Sequence, residues 1–112
     1  MIHRLCAVEE LEDGQKTVNI EGIADPLLVV LRGAELFVVD GLCPHQYAPL
    51  QGGEIDRECI LTCSHHGWRF DLRTGKSPDI PILSIQRWRA HLADGAIWLD
   101  GDQALSPAEG EK

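Results

Sequence analysis

The sequence predicts an all-β protein with a loop-rich middle third, and three observations point to it. Short runs of strand length, rich in β-branched residues, recur along the chain between turn signals. No segment carries the apolar period of a helix of ordinary length. Prolines 44, 49, 78 and 81 and the pair Gly52-Gly53 crowd the middle of the chain, where regular structure is therefore expected to give way to loops. In order, Lys16-Thr17-Val18-Asn19-Ile20 alternates and reads as a strand. Leu27 to Leu31 and Leu36 to Asp40 read as a hairpin about the Arg32-Gly33 turn, leading into Cys43. His3 falls in a presumed strand near the N-terminus. Cys59 to Thr62 and Trp68 to Asp71 follow as strands, and then Leu72-Arg73-Thr74-Gly75 as a turn whose glycine supplies a positive φ. Arg87 to Ala93 and Ala96 to Asp100 flank Asp94-Gly95, a two-residue hairpin signal. From Gln103 to Lys112 the residues turn small and polar, and a loosely held tail is expected.

A chain of 112 residues with 44% hydrophobic content can bury one core, so a single domain over 1–102 is expected, with 103–112 as the tail. The opening residues, Met1 to Cys6, contain no apolar run long enough for a signal peptide, and nothing approaches the roughly 20 apolar residues of a membrane span. The expectation is a soluble, cytoplasmic, monomeric protein. The formal net charge of −8 argues against nucleic acid and anionic membrane surfaces as partners, because both select basic patches. That charge is unevenly placed. Between Cys43 and Pro81 the acids Glu54, Asp56, Glu58, Asp71 and Asp79 nearly balance Arg57, Arg69, Arg73 and Lys76, so the acidity belongs to the rest of the chain, notably Glu9-Glu10-Leu11-Glu12-Asp13. That run reads as a solvated turn in preference to a docking patch.

Four cysteines, Cys6, Cys43, Cys59 and Cys63, would allow two disulfides. In a reducing compartment, however, cysteines interleaved with histidines point to metal. The interleaving is specific: Cys43-Pro44-His45 and Cys63-Ser64-His65-His66, with seventeen residues between His45 and Cys63. Each box offers one thiolate and one imidazole. A structural zinc ion more often takes like pairs from one turn and one helix. Mixed boxes suit two metal atoms side by side, although a zinc-binding interaction module stays open on the residues alone.

Cys-x-His, then Cys-x-x-His followed by Gly67-Trp68-Arg69-Phe70-Asp71, resembles the Rieske family. Ala48-Pro49-Leu50 with Gly52-Gly53, and Thr74-Gly75, match the segments that follow the family's two boxes. The resemblance covers about residues 3 to 100. It implies the Rieske fold, antiparallel sheets in a β-sandwich body with a smaller cluster-binding lobe at about 43–81. It also implies one Rieske-type 2Fe-2S cluster held by Cys43, His45, Cys63 and His66, both cysteines on one iron and both histidines on the other. Respiratory members carry an extra cysteine in each loop, joined as a disulfide; Ala48 and His65 stand there in this chain, so that bridge is not expected. Those members also place hydroxyl donors where this chain has Trp68 and Phe70. Donors to cluster sulfur stabilise the reduced state, so without them the potential should lie in the lower part of the Rieske range of about −150 to +300 mV.

The resemblance narrows to the soluble ferredoxins of bacterial oxygenase systems, which implies a one-electron carrier and not an enzyme. Its partners would be a flavin-containing NAD(P)H reductase and a terminal oxygenase, either an aromatic-ring dioxygenase or a diiron monooxygenase. The small Rieske subunit of an assimilatory nitrite reductase is the alternative. His45 and His66 are expected at an exposed tip, with Pro44, Gln46, Tyr47, His65, Trp68 and Pro78-Asp79-Ile80-Pro81 as a mostly apolar docking rim; for Trp68, packing that shields the cluster is the preferred role. His65 reads as a solvated neighbour of a ligand, and His3 and His91 as structural or exposed. Cys6 and Cys59 read as small core residues, since neither has a basic neighbourhood that would favour thiolate.

Overall fold

The computed structural model describes residues 2–44, 48–64, 67–80 and 82–105. Among them the strands are β1 (His3–Ala7), β2 (Gln15–Val18), β3 (Leu27–Arg32), β4 (Glu35–Asp40), β5 (Glu54–Ile55), β6 (Ile60–Thr62), β7 (Arg69–Asp71), β8 (Arg87–Ala93) and β9 (Ala96–Leu105), with one 3-10 turn at Val8–Glu10. No helix among these residues is long and apolar enough to cross a membrane. All strand pairs are antiparallel. The body is a six-stranded sheet in the order β1-β9-β8-β4-β3-β2, and the lobe is a three-stranded sheet, β5-β6-β7, inserted between β4 and β8.

The central hairpin β3–β4 explains how one short chain builds two cores. Leu27, Leu28, Val29 and Val30 are all buried, as a continuous apolar run should be when both faces of its strand are covered. Leu27 and Val29 join Leu5, Val18, Val38, Ile97 and Leu99 in one cluster, drawing on both edge strands, so the body sheet curls over on itself like a sandwich. Leu28 and Val30 point the other way. They join Val39, Leu50, Leu61, Phe70 and Leu72, with Cys43 and Cys63, in a second cluster that fastens the lobe to the body.

The turns follow the expected chemistry. Asp94 and Gly95 both have positive φ, 54° and 73°, between the paired Ala93 and Ala96, which is the backbone a two-residue hairpin needs. Glu9, Glu10, Glu12 and Asp13 are exposed, and Glu10 accepts a hydrogen bond from the Ala7 N–H, in keeping with a solvated turn. The structure differs from expectation in three places. Cys59 lies not in a strand but at φ 64°, because the Asp56 carboxylate accepts from the Glu58 and Ile60 N–H groups and closes a turn ahead of β6. The two-residue β5 carries no strand pattern of its own and exists through pairing with β6. Strand β9 continues past Asp100, where an irregularity in β8 lets Arg87 and Trp88 pair with Leu105 and Ala104. Residues 106–112 of the expected tail lie outside the described residues.

Candidate metal centre

The two boxes occupy equivalent places on two hairpin-like loops. In the first, Gly41 accepts from the Leu50 N–H at 2.8 Å, Leu42 bridges Pro49, and the Cys43 N–H donates to the Ala48 carbonyl at 2.8 Å. In the second, Thr62 pairs with Arg69, and the Cys63 N–H donates to the Trp68 carbonyl at 2.7 Å. Each cysteine therefore sits on the last described rung before its tip. Gly67, at φ 72°, lets the chain turn back so that its N–H reaches the Cys63 carbonyl at 2.9 Å. Both cysteines are about 1% exposed, whereas Pro44, Ser64 and Gly67 beside them are exposed. His45, Gln46, Tyr47, His65, His66 and Pro81 lie outside the described residues.

The chemistry of this donor set fits an iron–sulfur cluster. None of the four cysteines is in a disulfide. Cys43 and Cys63 are buried in one apolar cluster with Leu50, Leu61 and Phe70, and a pair of thiols brought together from two loops is a donor set that an iron–sulfur cluster takes. Trp68 is half-buried and packs against that same group of apolar residues.

A third loop, Ser77 to Ser84, is tied down beside the second box. The Ser77 Oγ accepts from the Asp79 and Ile80 N–H groups, and Leu83 closes back through its own N–H to the Ile80 carbonyl at 3.0 Å. Arg69 on β7 grips Asp79 with two parallel hydrogen bonds of 2.8 and 2.6 Å. That grip holds the Asp79 carboxyl below its usual pKa and raises the guanidinium's. The loop presents Ile82, 94% exposed.

Several residues that hold the lobe in place carried no sequence signal. Gln15, buried in β2, receives the Gly52 N–H on its side-chain oxygen and donates to the Gly53 carbonyl, both at 2.9 Å. Gln51 reciprocates by accepting from the Thr17 N–H. On the other side Arg73 donates to both oxygens of Glu35 at 3.0 and 2.7 Å, and this bond chiefly holds the Glu35 carboxyl below its ordinary range.

Among the described residues, Cys6, Cys59 and His91 lie outside the two boxes. Cys6 and Cys59 are buried and their thiols are pushed up in pKa, above all by burial. The expected lack of basic neighbours is corrected for both: Lys16 and Arg4 act on Cys6, and on Cys59 the chief basic residue is Arg73, distant in sequence. Its pull is opposed by burial and by Glu35, whose carboxylate the Cys59 Sγ meets at 3.6 Å. His91 pairs through Nδ1 with Asp100 across β8 and β9. A cleft of about 680 Å³ is lined by Glu12, Asp13, Glu54 and Asp56, and neither Cys43 nor Cys63 is among its lining residues.

Known proteins match this arrangement. Residues 1–89 match the family model of the Rieske 2Fe-2S domain. The chain is 33% identical over 107 residues to the ferredoxin component of an alkene monooxygenase system from Xanthobacter autotrophicus, covering 96% of this chain and 85% of that one. Some relatives are much longer, and of one the chain spans only 16%. Among solved structures, a ferredoxin of Sphingomonas yanoikuyae superposes with a TM-score of 0.75 at 34% identity, covering 88% of this chain and 96% of that one. A chain from the complex of reduced oxygenase and oxidised ferredoxin in carbazole 1,9a-dioxygenase superposes with a TM-score of 0.78 at 25% identity, covering 94% and 97%. These matches set the zinc reading aside. The chain belongs to the Rieske 2Fe-2S family, carries one Rieske-type cluster and works as an electron carrier of the ferredoxin kind.

Proposed function

We propose that Cys43 and Cys63 hold one iron of the cluster and His45 and His66 the other, and that the chain delivers single electrons to a terminal oxygenase. The electrons arrive from a flavin-containing NAD(P)H reductase, which splits a hydride pair into single steps. The observation that carries this reading is the matched placement of Cys43 and Cys63, each buried on the last described rung of its loop, in a chain that covers 85% of a ferredoxin relative. When bound, the cluster supplies a one-electron couple that runs from neutral to −1 with neutral imidazoles, and its reduction is therefore easier than that of an all-thiolate cluster.

The protein's own part is positional. Cys43 and Cys63, both buried, would hold the cluster, Trp68 and the apolar residues packed with them would exclude water from it, and Pro44, Ser64 and Gly67 beside the boxes are exposed to a partner. Pro44, Ile82 and the braced 77–84 loop offer that partner an apolar rim. The carrier acts as a cytoplasmic monomer.

The test is anaerobic purification of the wild type and of Cys43→Ser, His45→Ala, Cys63→Ser and His66→Ala. Wild type should bind two irons, show a low-average-g EPR signal on reduction and couple NADH oxidation by a flavin reductase to an oxygenase. Each variant should lose the iron and the signal. A variant that keeps both removes its residue from the ligand set, and a loaded protein that no oxygenase can oxidise defeats the shuttle reading.

A further inference from the structure

We propose that Asp40, at the base of the cluster lobe, is an electrostatic determinant of the cluster's reduction potential, its carboxylate holding that potential down. The lobe leaves the body at the end of β4 and returns at the start of β8, and Asp40 fastens those two points together. Its N–H donates to the Gln86 carbonyl at 3.0 Å, its Oδ2 accepts from the Gln86 N–H at 3.1 Å, and its Oδ1 accepts from the Trp88 Nε1–H at 3.1 Å. The side chain is half-buried. Among the described residues it belongs to no ion pair. Asp25 adds a second negative charge nearby, across a cavity of about 330 Å³ that both carboxylates line with Gln86 and Trp88.

Asp40 therefore holds a negative charge that neutral donors stabilise and that no cation among the described residues pairs with. Burial raises its pKa, the Trp88 and Gln86 donors oppose that rise, and Asp25 adds to it. Only Gly41 and Leu42 separate Asp40 from Cys43, so the two Cα atoms lie within about 11 Å. Val39 and Cys43 belong to the same buried apolar cluster, so the medium on that side screens poorly. Reduction adds one negative charge to the cluster. A fixed carboxylate acting through this poorly screening interior opposes it, favours the oxidised form and lowers the potential. No hydrogen bond from Asp40 to the cluster is involved, which separates this effect from donors that touch sulfur.

The inference rests on Cys43 being a ligand, and the experiment keeps the two claims apart. Midpoint potentials are measured by EPR-monitored titration at low ionic strength and pH 8 for the wild type, Asp40→Asn and Trp88→Phe, with thermal melts alongside. Asp40→Asn removes the charge and keeps one side-chain acceptor; Trp88→Phe removes a donor and keeps the charge. The expected result is a positive shift in Asp40→Asn with an unaltered EPR line shape, and a potential in Trp88→Phe that stays near the wild type's or falls. An unchanged potential in Asp40→Asn overturns the proposal. So does an equal positive shift in both variants, which would trace the effect to a loosened clasp. If Asp40→Asn does not assemble, Asp40→Ser, which can still accept from the Gln86 N–H, is read by the same criteria. A Cys43→Ser protein that still builds a wild-type cluster would instead defeat the ligand assignment.

Discussion

A methyl group at position 53 would overlap the carbonyl oxygen of Thr62 and press on a Leu61 side chain, at 3.0 Å from its Cδ1. The backbone oxygen cannot move aside without breaking the β5–β6 ladder, so Gly53→Ala should cost about 1–3 kcal/mol, the usual range for overpacking. In a domain of this size that lowers the melting temperature by roughly 4–20 °C, readable by calorimetry on the loaded protein. Gly52 beside it meets nothing within 4 Å and needs glycine only for its φ of 93°, so Gly52→Ala should cost less. A melting temperature for Gly53→Ala equal to the wild type's would mean that the lobe yields at this point. Sequence reading marks the pair as loop punctuation; what it lacks is the partner. Gly53 is tight against a residue nine positions later in chain order, and Gln15, which bonds to both glycines, lies far upstream, so the reasons for these residues are tertiary.

At the scale of elements the lobe is pinned from outside by ion pairs whose strength follows pH. Asp79 is held by Arg69, and Glu35 by Arg73, each carboxyl lying below its ordinary pKa chiefly because of its arginine hydrogen bond. A carboxylate depressed in the folded state adds stability that is fully present above its unfolded pKa of about 4 and is lost as pH falls through the lower folded value. Asp79→Asn forfeits that contribution at neutral pH. Loss of visible absorbance on incubation at pH 6 should then run about two to five times faster in the variant, a modest factor because the pair is exposed, and the two rates should converge as the solution is acidified through the folded pKa. Rates that stay in constant ratio down to strongly acid pH would show that the pair does not titrate as described. The same scale separates what pattern reveals from what it cannot. The hairpins β3–β4 and β8–β9 were legible because β-branched runs and a two-residue turn are local signals. Strand β5 was not, since two residues hold no period and pair only because β6 lies beside them. Both boxes stand out in the sequence as Cys/His pairs, whereas the clasp at Asp40 and the Gln15 tie depend on residues brought together only by the fold.

For the molecule as a whole, the acidity is concentrated in the parts of the chain outside 43–81, the segment that carries the boxes. Glu9, Glu10, Glu12 and Asp13 lie exposed on the 3-10 turn and the turn before β2, while the lobe is close to neutral and displays Ile82 on a loop fixed by Ser77 and by the Arg69–Asp79 pair. A rigid apolar side chain loses little entropy when a partner covers it, and central apolar contacts dominate many interfaces. Charges remote from the contact act mainly on the encounter rate and are screened beyond about 8–10 Å at physiological salt. Ile82→Asp should therefore slow electron transfer to the oxygenase about tenfold, equivalent to about 1.4 kcal/mol, with the melting temperature and the midpoint potential unchanged. Reversing the charges at Glu9, Glu10, Glu12 and Asp13 should change the rate less than about threefold at 0.15 M salt, and most of that change should vanish as salt is raised. Stopped-flow oxidation of the reduced ferredoxin by its oxygenase, run across a salt series, measures both. If the reversed acids slow transfer more than Ile82→Asp does, the partner docks by charge against the body, and the apolar rim is not the contact.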